Sequence, residues 1–273
     1  MIVNIDSQKL VAISRCHRLA NFQFGENYTP IESNPFFDRG SYGHAILEGF
    51  TEAKLDGKSR NDSIEAGFSY GLEWMIENSV HLETDERYLI DDSLKLYFKY
   101  YENSRWIVRG AEKYLSKVLY ESDELTILYD GVVDWFVDTE IGPAIADHKF
   151  RSRDQPFYEL NDQMIGYAFL AETNLVYEDR VGLQKTLPVE KRFKRYLARF
   201  NEQIINDWKL SATRRIIRYV NAVGTDYFEP NFSNCQIGYG PCTFHGVCKS
   251  ENPEEVLKAE FTRREPWDPM KKR

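Results

Sequence analysis

Three strand-like segments follow one another between residues 106 and 150, and this run constrains the fold more than any other feature. The segments WIVRGAEKYLSKVLY (106–120), ELTILYDGVVDWFVD (124–138) and GPAIADHKF (142–150) are rich in β-branched and aromatic residues and are separated by short turn-like breaks. Helical periodicity precedes them at 40–57, at 61–79 and from about 84 to 103. An opening helix is predicted at residues 7–21, with Ser7 as its cap.

A second block of elements follows the three strands. The sequence predicts a helix at 156–174, a strand at 175–186, a long basic helix or helix pair at 189–222 and a Cys/Gly loop region at 231–250. This order indicates an α/β fold with a helical N-terminal part and a cysteine-rich C-terminal cap. We therefore expect one domain over residues 1–250, made of a helical part (1–104), an α/β core (105–225) and the cap (226–250), and then a C-terminal tail (251–273).

Composition limits the class of protein. The chain has 273 residues, of which 42% are hydrophobic and 14% aromatic, which is typical of a globular protein. No apolar stretch is long enough to span a bilayer, and the first residues do not resemble a signal peptide, so we expect a cytoplasmic protein that does not bind membranes. The net charge of −8 argues against binding to nucleic acid. The segment from 185 to 218, however, has ten Lys/Arg residues against three acids.

The last strand of the run, AIADHKF, carries two opposite charges on one face. Because side chains alternate along a strand, Asp147 and Lys149 point the same way. If the strand pairs with the preceding one as a hairpin, Asp134 can face them both. Two carboxylates can hold Mg²⁺ together with water and phosphate oxygens, and a lysine beside them can orient or deprotonate that water. The alternative is a structural salt bridge between Asp147 and Lys149.

The order of these motifs resembles the PD-(D/E)XK nuclease superfamily, in which an Asp on one strand is followed by (D/E)-x-K on the next. GVVDWFV followed by AIADHKF has this form. Three further segments are similar to the RecB-like branch: NDQMIGYAF to its Q-x-x-x-Y helix, GSYGHAILEGF to its histidine-bearing helix, and AISRCHRLANFQF to its opening Cys-x-Arg segment. The resemblance runs from about residue 12 to residue 248.

This resemblance implies a restriction-endonuclease-like core, with a central mixed sheet flanked by helices, that hydrolyses phosphodiester bonds in DNA. Mg²⁺ or Mn²⁺ would be bound by His44, Asp134, Asp147 and the backbone carbonyl of His148. Lys149 would position or activate water, Gln163 and Tyr167 would orient the DNA or the lysine, and Glu112 is an additional candidate acid. An exonuclease is implied, acting on single-stranded DNA or on free ends. It would work in a bacterial, archaeal or phage-infected cell, with partners in recombination, repair or CRISPR adaptation.

The four cysteines form a second candidate site. Cys16 stands alone, whereas Cys235, Cys242 and Cys248 lie close together near the end, and in an intracellular protein such clustering favours a metal over disulfides. Iron–sulfur members of the RecB-like branch use one N-terminal and three C-terminal cysteines, so the resemblance implies a structural [4Fe–4S] cluster on these four residues. The first gap of six residues departs from the two that are common there. Zinc, with all four cysteines or with His245 replacing one, is the alternative.

The basic segment is the candidate DNA path, and its other interpretation is a solvated helix face. The residues proposed for DNA contact are Lys191, Arg192, Lys194, Arg195 and Arg199. Two other functions are also compatible with the sequence. One is a non-catalytic DNA-binding or assembly subunit with the same fold, and the other is a zinc-stapled scaffold in which the charged strand forms only a salt bridge.

Overall fold

A mixed six-stranded sheet is the centre of the fold in the computed structural model, which describes residues 1–32, 35–237 and 240–266. Its strands are β1 (Ile2–Ile5), β3 (Ile107–Glu121), β4 (Thr126–Thr139), β5 (Gly142–Arg151), β6 (Leu175–Gly182) and β7 (Phe193–Arg199). The order is β1-β4-β5-β6-β7, and β3 also pairs with β4. β4 and β5 form the predicted antiparallel hairpin, β5 and β6 are parallel, and β6 and β7 are antiparallel. The predicted α/β class with a central mixed sheet and flanking helices is confirmed.

Ten α-helices, a π-helical turn (Asn21–Gly25), a 3₁₀ turn (Phe232–Asn234) and four short strands complete the described part of the chain. The helices are α1 (Ser7–Arg15), α2 (His17–Ala20), α3 (Pro35–Leu55), α4 (Arg60–Glu77), α5 (Thr84–Tyr100), α6 (Asp162–Ala171), α7 (Val189–Arg192), α8 (Glu202–Thr225), α9 (His245–Lys249) and α10 (Pro253–Glu260). The short strands are β2 (Tyr28–Pro30), β8 (Gln236–Ile237), β9 (Gly240–Pro241) and β10 (Phe261–Arg263); β2 pairs with β10, and β8 with β9. No helix among the described residues has the length and apolar character that crossing a membrane requires.

The predicted opening helix is wrong in two details. The helix stops at Cys16, which has an extended backbone (φ −169°, ψ 124°) between α1 and α2. Its cap is Asp6 and not Ser7, because the Asp6 carboxylate accepts a hydrogen bond from the Lys9 amide at 2.7 Å. The break gives Cys16 a position between two helices instead of within one.

The prediction of a long basic helix or helix pair at 189–222 is wrong over the segment that forms β7. Only a single helical turn, α7, precedes β7, and the helix α8 starts at Glu202. Pairing with β6 from Val181↔Phe193 to Leu175↔Arg199 makes the segment the edge of the sheet. Tertiary pairing therefore overrides the helical composition of the segment. β1 and β2 were not predicted at all, and the predicted helix at 156–174 is shortened to α6.

The chain divides into two compact units. One comprises the described residues of Met1–Ser33, Ser116–Gly131 and Gln203–Arg273, and the other those of Asn34–Leu115 and Val132–Glu202. The second unit has its core between α3, α5 and one sheet face, where Ile46, Leu94 and Trp135 are buried. Helices α3 and α4 pack closely there, since a Cβ at Gly67 would lie 2.6 Å from the Ile46 carbonyl oxygen.

The first unit contains α10 and β10, which come from the predicted C-terminal tail. Phe244 and Phe261 stack with ring centroids 4.7 Å apart, and Val247 and Leu257 are buried beside them. Residues 253–263 therefore belong to the core of this unit, whereas 267–273 lie outside the described residues.

Candidate metal centre and cysteine cluster

Three polar side chains from three elements of the second unit meet at one point. His44 comes from α3, Glu112 from β3 and Asp134 from β4. His44 Nδ1 lies 3.3 Å from Asp134 Oδ2 and 4.0 Å from Glu112 Oε1. One potential ligand atom from each of the three side chains lies within 4.8 Å of the other two. Imidazole nitrogen and carboxylate oxygens are suitable ligands for a divalent metal.

The hairpin of β4 and β5 adds the next two residues of the predicted site. Trp135 pairs with Ala146, so Asp134 comes alongside Asp147. Lys149 Nζ lies 2.7 Å from Asp147 Oδ2, and the backbone amide of His148 donates to Asp134 Oδ2 at 2.6 Å. Both carboxylates are buried, with 5% and 2% of Asp134 and Asp147 exposed, whereas the Lys149 side chain is 26% exposed. The structure thus brings together the three residues of the D…D-x-K pattern.

The two buried carboxylates differ in their pKa. Burial alone would raise the pKa of Asp134, but the charge of His44, the hydrogen bond from His148 and the charges of His148 and Lys149 outweigh it and hold this pKa below its ordinary value. Burial raises the pKa of Asp147 to about 6, because Lys149 offsets only part of the effect and the negative Asp134 adds to it. Both carboxylates are therefore ionised at neutral pH, and Asp147 takes up a proton first as the pH falls.

Glu112 reaches this site through an unusual backbone conformation. Its φ is +44°, in the left-handed region that residues with a side chain seldom adopt. The residue lies within β3, so the strand is locally distorted where its carboxylate approaches His44. Backbone strain of this kind is common at functional sites.

The sequence analysis missed a second charged pair next to the site. Glu178 on β6 lies directly opposite Asp147 in the parallel register, and Arg180 lies opposite Lys149. Glu178 is buried and forms an ion pair with Arg180, whose guanidinium also donates to the carbonyls of Gln155 and Pro156 before α6. The signal was available in LVYEDRVG, where an acid and a cation are two residues apart, as in AIADHKF.

Gln163 and Tyr167 lie on one face of α6, as the motif predicts. The Gln163 side-chain amide donates to the Tyr167 hydroxyl at 3.2 Å. Their proposed action on DNA or on Lys149 stays a prediction.

The residues proposed for DNA contact fall into two groups. Arg192 is 6% exposed and donates to Ser93 Oγ at 2.8 Å, and Arg195 donates to Asp179 at 2.9 Å. Their guanidinium groups are thus engaged within the protein. Lys191, Lys194 and Arg199 are the accessible members of the set, and Lys194 is 3.6 Å from the exposed Asp154.

The four cysteines all lie in the first unit, and their thiols are close enough for electrostatic interaction. Burial raises the pKa of Cys242, and the thiols of Cys248, Cys16 and Cys235 raise it further. The Asn231 amide lies 3.4 Å from Cys16 Sγ.

A small hairpin explains the long gap between the first two C-terminal cysteines. Gln236 pairs with Pro241 and Ile237 with Gly240, and the Cys242 amide donates to the Cys235 carbonyl at 2.8 Å. The extra residues therefore form a hairpin that returns Cys242 to Cys235; its tip, 238–239, lies outside the described residues.

Comparison with known proteins shows the fold. No protein-family model matches the chain, and no curated protein matches its sequence. The crystal structure of a protein named "putative exonuclease" from Eubacterium rectale is similar, with a TM-score of 0.53 and 8% identity over 90% of this chain and 93% of that one. At this identity the likeness shows the fold alone. The structure of LHK-Exo in complex with dAMP matches 68% of this chain and 95% of its own, at 9% identity and a TM-score of 0.36, which is too low to support an argument.

Proposed function

We propose that the protein is a metal-dependent DNA nuclease of the RecB-like PD-(D/E)XK type. The observation that carries this proposal is the group of His44, Glu112 and Asp134, which adjoins Asp147 and Lys149. A salt bridge between Asp147 and Lys149 alone would not explain why a second buried acid, Asp134, lies beside them together with a histidine and a strained glutamate, since each buried charge costs desolvation energy.

The donors at this site fit Mg²⁺ or Mn²⁺. His44, Asp134, Asp147 and the backbone carbonyl of His148 would hold the ion, and we add Glu112 because of its position beside His44. Most of these donors are hard oxygens, which both ions prefer, and Mn²⁺ also accepts imidazole. When bound, the metal would lower the pKa of a water ligand and stabilise charge on the phosphoryl group.

The chain's own residues have distinct roles in this proposal. Asp134 stays ionised at neutral pH and so supplies a permanent negative charge. Lys149 is held by Asp147 at 2.7 Å and is partly exposed, so its ammonium group can orient water and contact an oxygen of the scissile phosphate. Gln163 and Tyr167, bonded to each other on α6, would orient the DNA strand or the lysine.

A group of cations beside Lys149 supports contact with a phosphate backbone. Arg151 follows Lys149 on the same face of β5, and Arg180 lies opposite Lys149 on β6. Six cations, Arg151, Arg153, Arg180, Lys191, Arg192 and Lys194, lie close together here with one acid, Asp154. Arg180 and Arg192 are buried and bonded within the protein, so the accessible members are the candidates for DNA contact. We propose that Lys191 and Lys194, together with the exposed Arg199, contact DNA phosphates. The name of the Eubacterium rectale protein supports an exonuclease, acting on single strands or free ends.

We also propose a structural [4Fe–4S] cluster on Cys16, Cys235, Cys242 and Cys248. The interacting thiols and the returning hairpin support a shared ligand at this point. One N-terminal and three C-terminal cysteines match the pattern of the RecB-like iron–sulfur proteins, and zinc on the same four thiolates is the alternative.

Cleavage of defined DNA substrates tests the nuclease proposal. Wild-type protein should degrade linear single-stranded or double-stranded DNA after addition of Mg²⁺ or Mn²⁺, and should act poorly on circular or end-blocked DNA. Asp134→Asn should lower the rate at least about a hundredfold, because it removes a metal ligand. Asp92→Asn is the control, at an exposed carboxylate that pairs with Lys185. Cleavage by Asp134→Asn at a rate near that of wild type would contradict the proposal.

Metal analysis of protein purified without oxygen tests the cluster. The protein should be brown and contain about four iron and four sulfide per chain. Cys235→Ser should release the iron and lower the melting temperature, because ligand loss separates the N-terminal helices from the C-terminal cap of the same unit. His245→Ala should keep the iron. Colourless protein with one zinc per chain would show the alternative to be correct.

A further inference from the structure

A cavity of about 410 Å³ lies in the second unit, apart from the candidate metal centre. It is lined by residues of α3, α4, α5, β3, β4 and β7 and of the segment between α5 and β3. Trp135 belongs to this cavity and pairs with Ala146. Since side chains alternate along β5, Ala146 and the cavity lie on the sheet face opposite to Asp147 and Lys149. The volume is within the range of small-molecule sites.

The charged residues that line the cavity are all positive. Four cations, Lys54, Arg60, Arg109 and Arg195, face the cavity, and no acid is among its described lining residues. Arg109 is 60% exposed and paired with Asp138 at 2.7 Å, which is a surface contact that an incoming anion can replace at low cost. Lys54 is exposed on the last turn of α3. The cavity therefore favours a negatively charged ligand.

The remaining lining is largely aromatic. Tyr101 and Trp106 enclose the Arg195 guanidinium, with ring centroids 3.7 Å and 3.6 Å from its central carbon. A planar ligand would find a stacking surface on these aromatic side chains.

We infer that this cavity binds a nucleotide, with its base against the aromatic side chains and its phosphate at Lys54 and Arg109. Among planar anions, the choice of a nucleotide rests on the proposed function. The nucleotide could be a free nucleoside monophosphate or the terminal nucleotide of a DNA strand, because both present the same base and phosphate. Binding at this cavity needs no metal, so it can be measured separately from cleavage.

Tryptophan fluorescence provides a direct assay, since two of the five tryptophans line the cavity. Each of the four deoxynucleoside monophosphates, and a short single-stranded oligonucleotide, is titrated into the full chain in buffer without divalent metal. Calorimetry checks each titration, and inorganic phosphate and an uncharged nucleoside are the reference ligands. The test variant is Lys54→Gln/Arg109→Gln. The matched control is Lys58→Gln, which removes a nearby exposed charge that does not line the cavity.

We expect saturable binding of a monophosphate. The site is established if the double variant weakens this affinity at least about fivefold and Lys58→Gln leaves it unchanged. The same pattern with the oligonucleotide alone would identify a strand end as the ligand. Two results would overturn the inference. One is the absence of binding by any of these nucleotides up to about 1 mM. The other is equal affinity for nucleotide and uncharged nucleoside. Because metal is absent, these results do not depend on whether the chain cleaves DNA.

Discussion

Asp147→Asn should make the metal-free protein more stable while abolishing cleavage. Asp147 is 2% exposed, and its carboxylate lies beside the ionised Asp134 and opposite Glu178. A single lysine, itself partly exposed, offsets this repulsion. Asparagine keeps the size of the side chain and removes its charge, so the repulsion and the cost of burying a charge both disappear.

The magnitude follows from the pKa of Asp147. Burial and repulsion raise this pKa from 3.8 to about 6 in the folded protein, so the folded state holds its proton more tightly than the unfolded state. The stability that Asp147 contributes is therefore fully present below pH 3.8 and is lost as the pH rises to about 6. The loss at neutral pH is about 3 kcal/mol, since a tenfold change in proton affinity corresponds to 1.36 kcal/mol. The attraction of Lys149 is already included in this pKa. The cost of burying the neutral amide of the asparagine lowers the net gain to about 2 kcal/mol.

Urea unfolding in EDTA measures this gain. At pH 7.5 the variant should be about 2 kcal/mol more stable than wild type, and at pH 4.5 the advantage should shrink, because wild-type Asp147 is then largely protonated. Asp92→Asn, at an exposed acid paired with Lys185, should change stability by less than about 0.5 kcal/mol. Added Mg²⁺ or Mn²⁺ should stabilise wild type and not the variant. A less stable variant at pH 7.5, or an advantage independent of pH, would refute the reasoning.

Two further predictions concern the DNA path and the strained glutamate. Reversing Lys191 and Lys194 to Glu should weaken DNA binding and lower the slope of log affinity against log salt by about 2, whereas Lys58→Glu should leave the slope unchanged; an unaltered slope in the double variant would exclude this path. Glu112→Gly should raise the free energy of unfolding by about 1 kcal/mol, because glycine adopts a positive φ without strain, and should weaken Mn²⁺ binding measured by calorimetry. Glu172→Gly, at φ +53°, should stabilise similarly without affecting Mn²⁺, and unchanged Mn²⁺ affinity in Glu112→Gly would remove this residue from the metal site.

The strands that carry Asp134, Asp147 and Lys149 could be predicted from the sequence because the pattern that specifies them is local. Alternation within 124–138 and 142–150 sets the face of each side chain, and the short break between them allows only a hairpin. These two facts suffice to bring Asp134 to Asp147 and Lys149. The position of His44 beside Asp134 depends on how α3 packs against the sheet, which the local sequence does not specify. His44 was predicted only from the resemblance to a known family.

Other features depend on contacts that a single sequence does not specify. The segment 193–199 has a helical composition, yet it becomes the edge strand because β6 offers it an unpaired side. Arg195 appeared to be a surface cation, but it lies between two aromatic rings and pairs with Asp179. Glu112 was a weak candidate because nothing in the sequence shows that its backbone would adopt a positive φ.

Glu112 and Asp147 indicate that the same site is destabilised in two independent ways. The backbone at Glu112 is held in the left-handed region, and the carboxyl of Asp147 is held where its charged form is disfavoured. Both features place acidic oxygens near His44 or Asp134. A cation at this point would reverse the electrostatic cost, because the repulsion between the carboxylates would become attraction to a shared charge. The local instability is therefore an argument that the site is built for an ion, and it is stronger than the spacing of the residues alone.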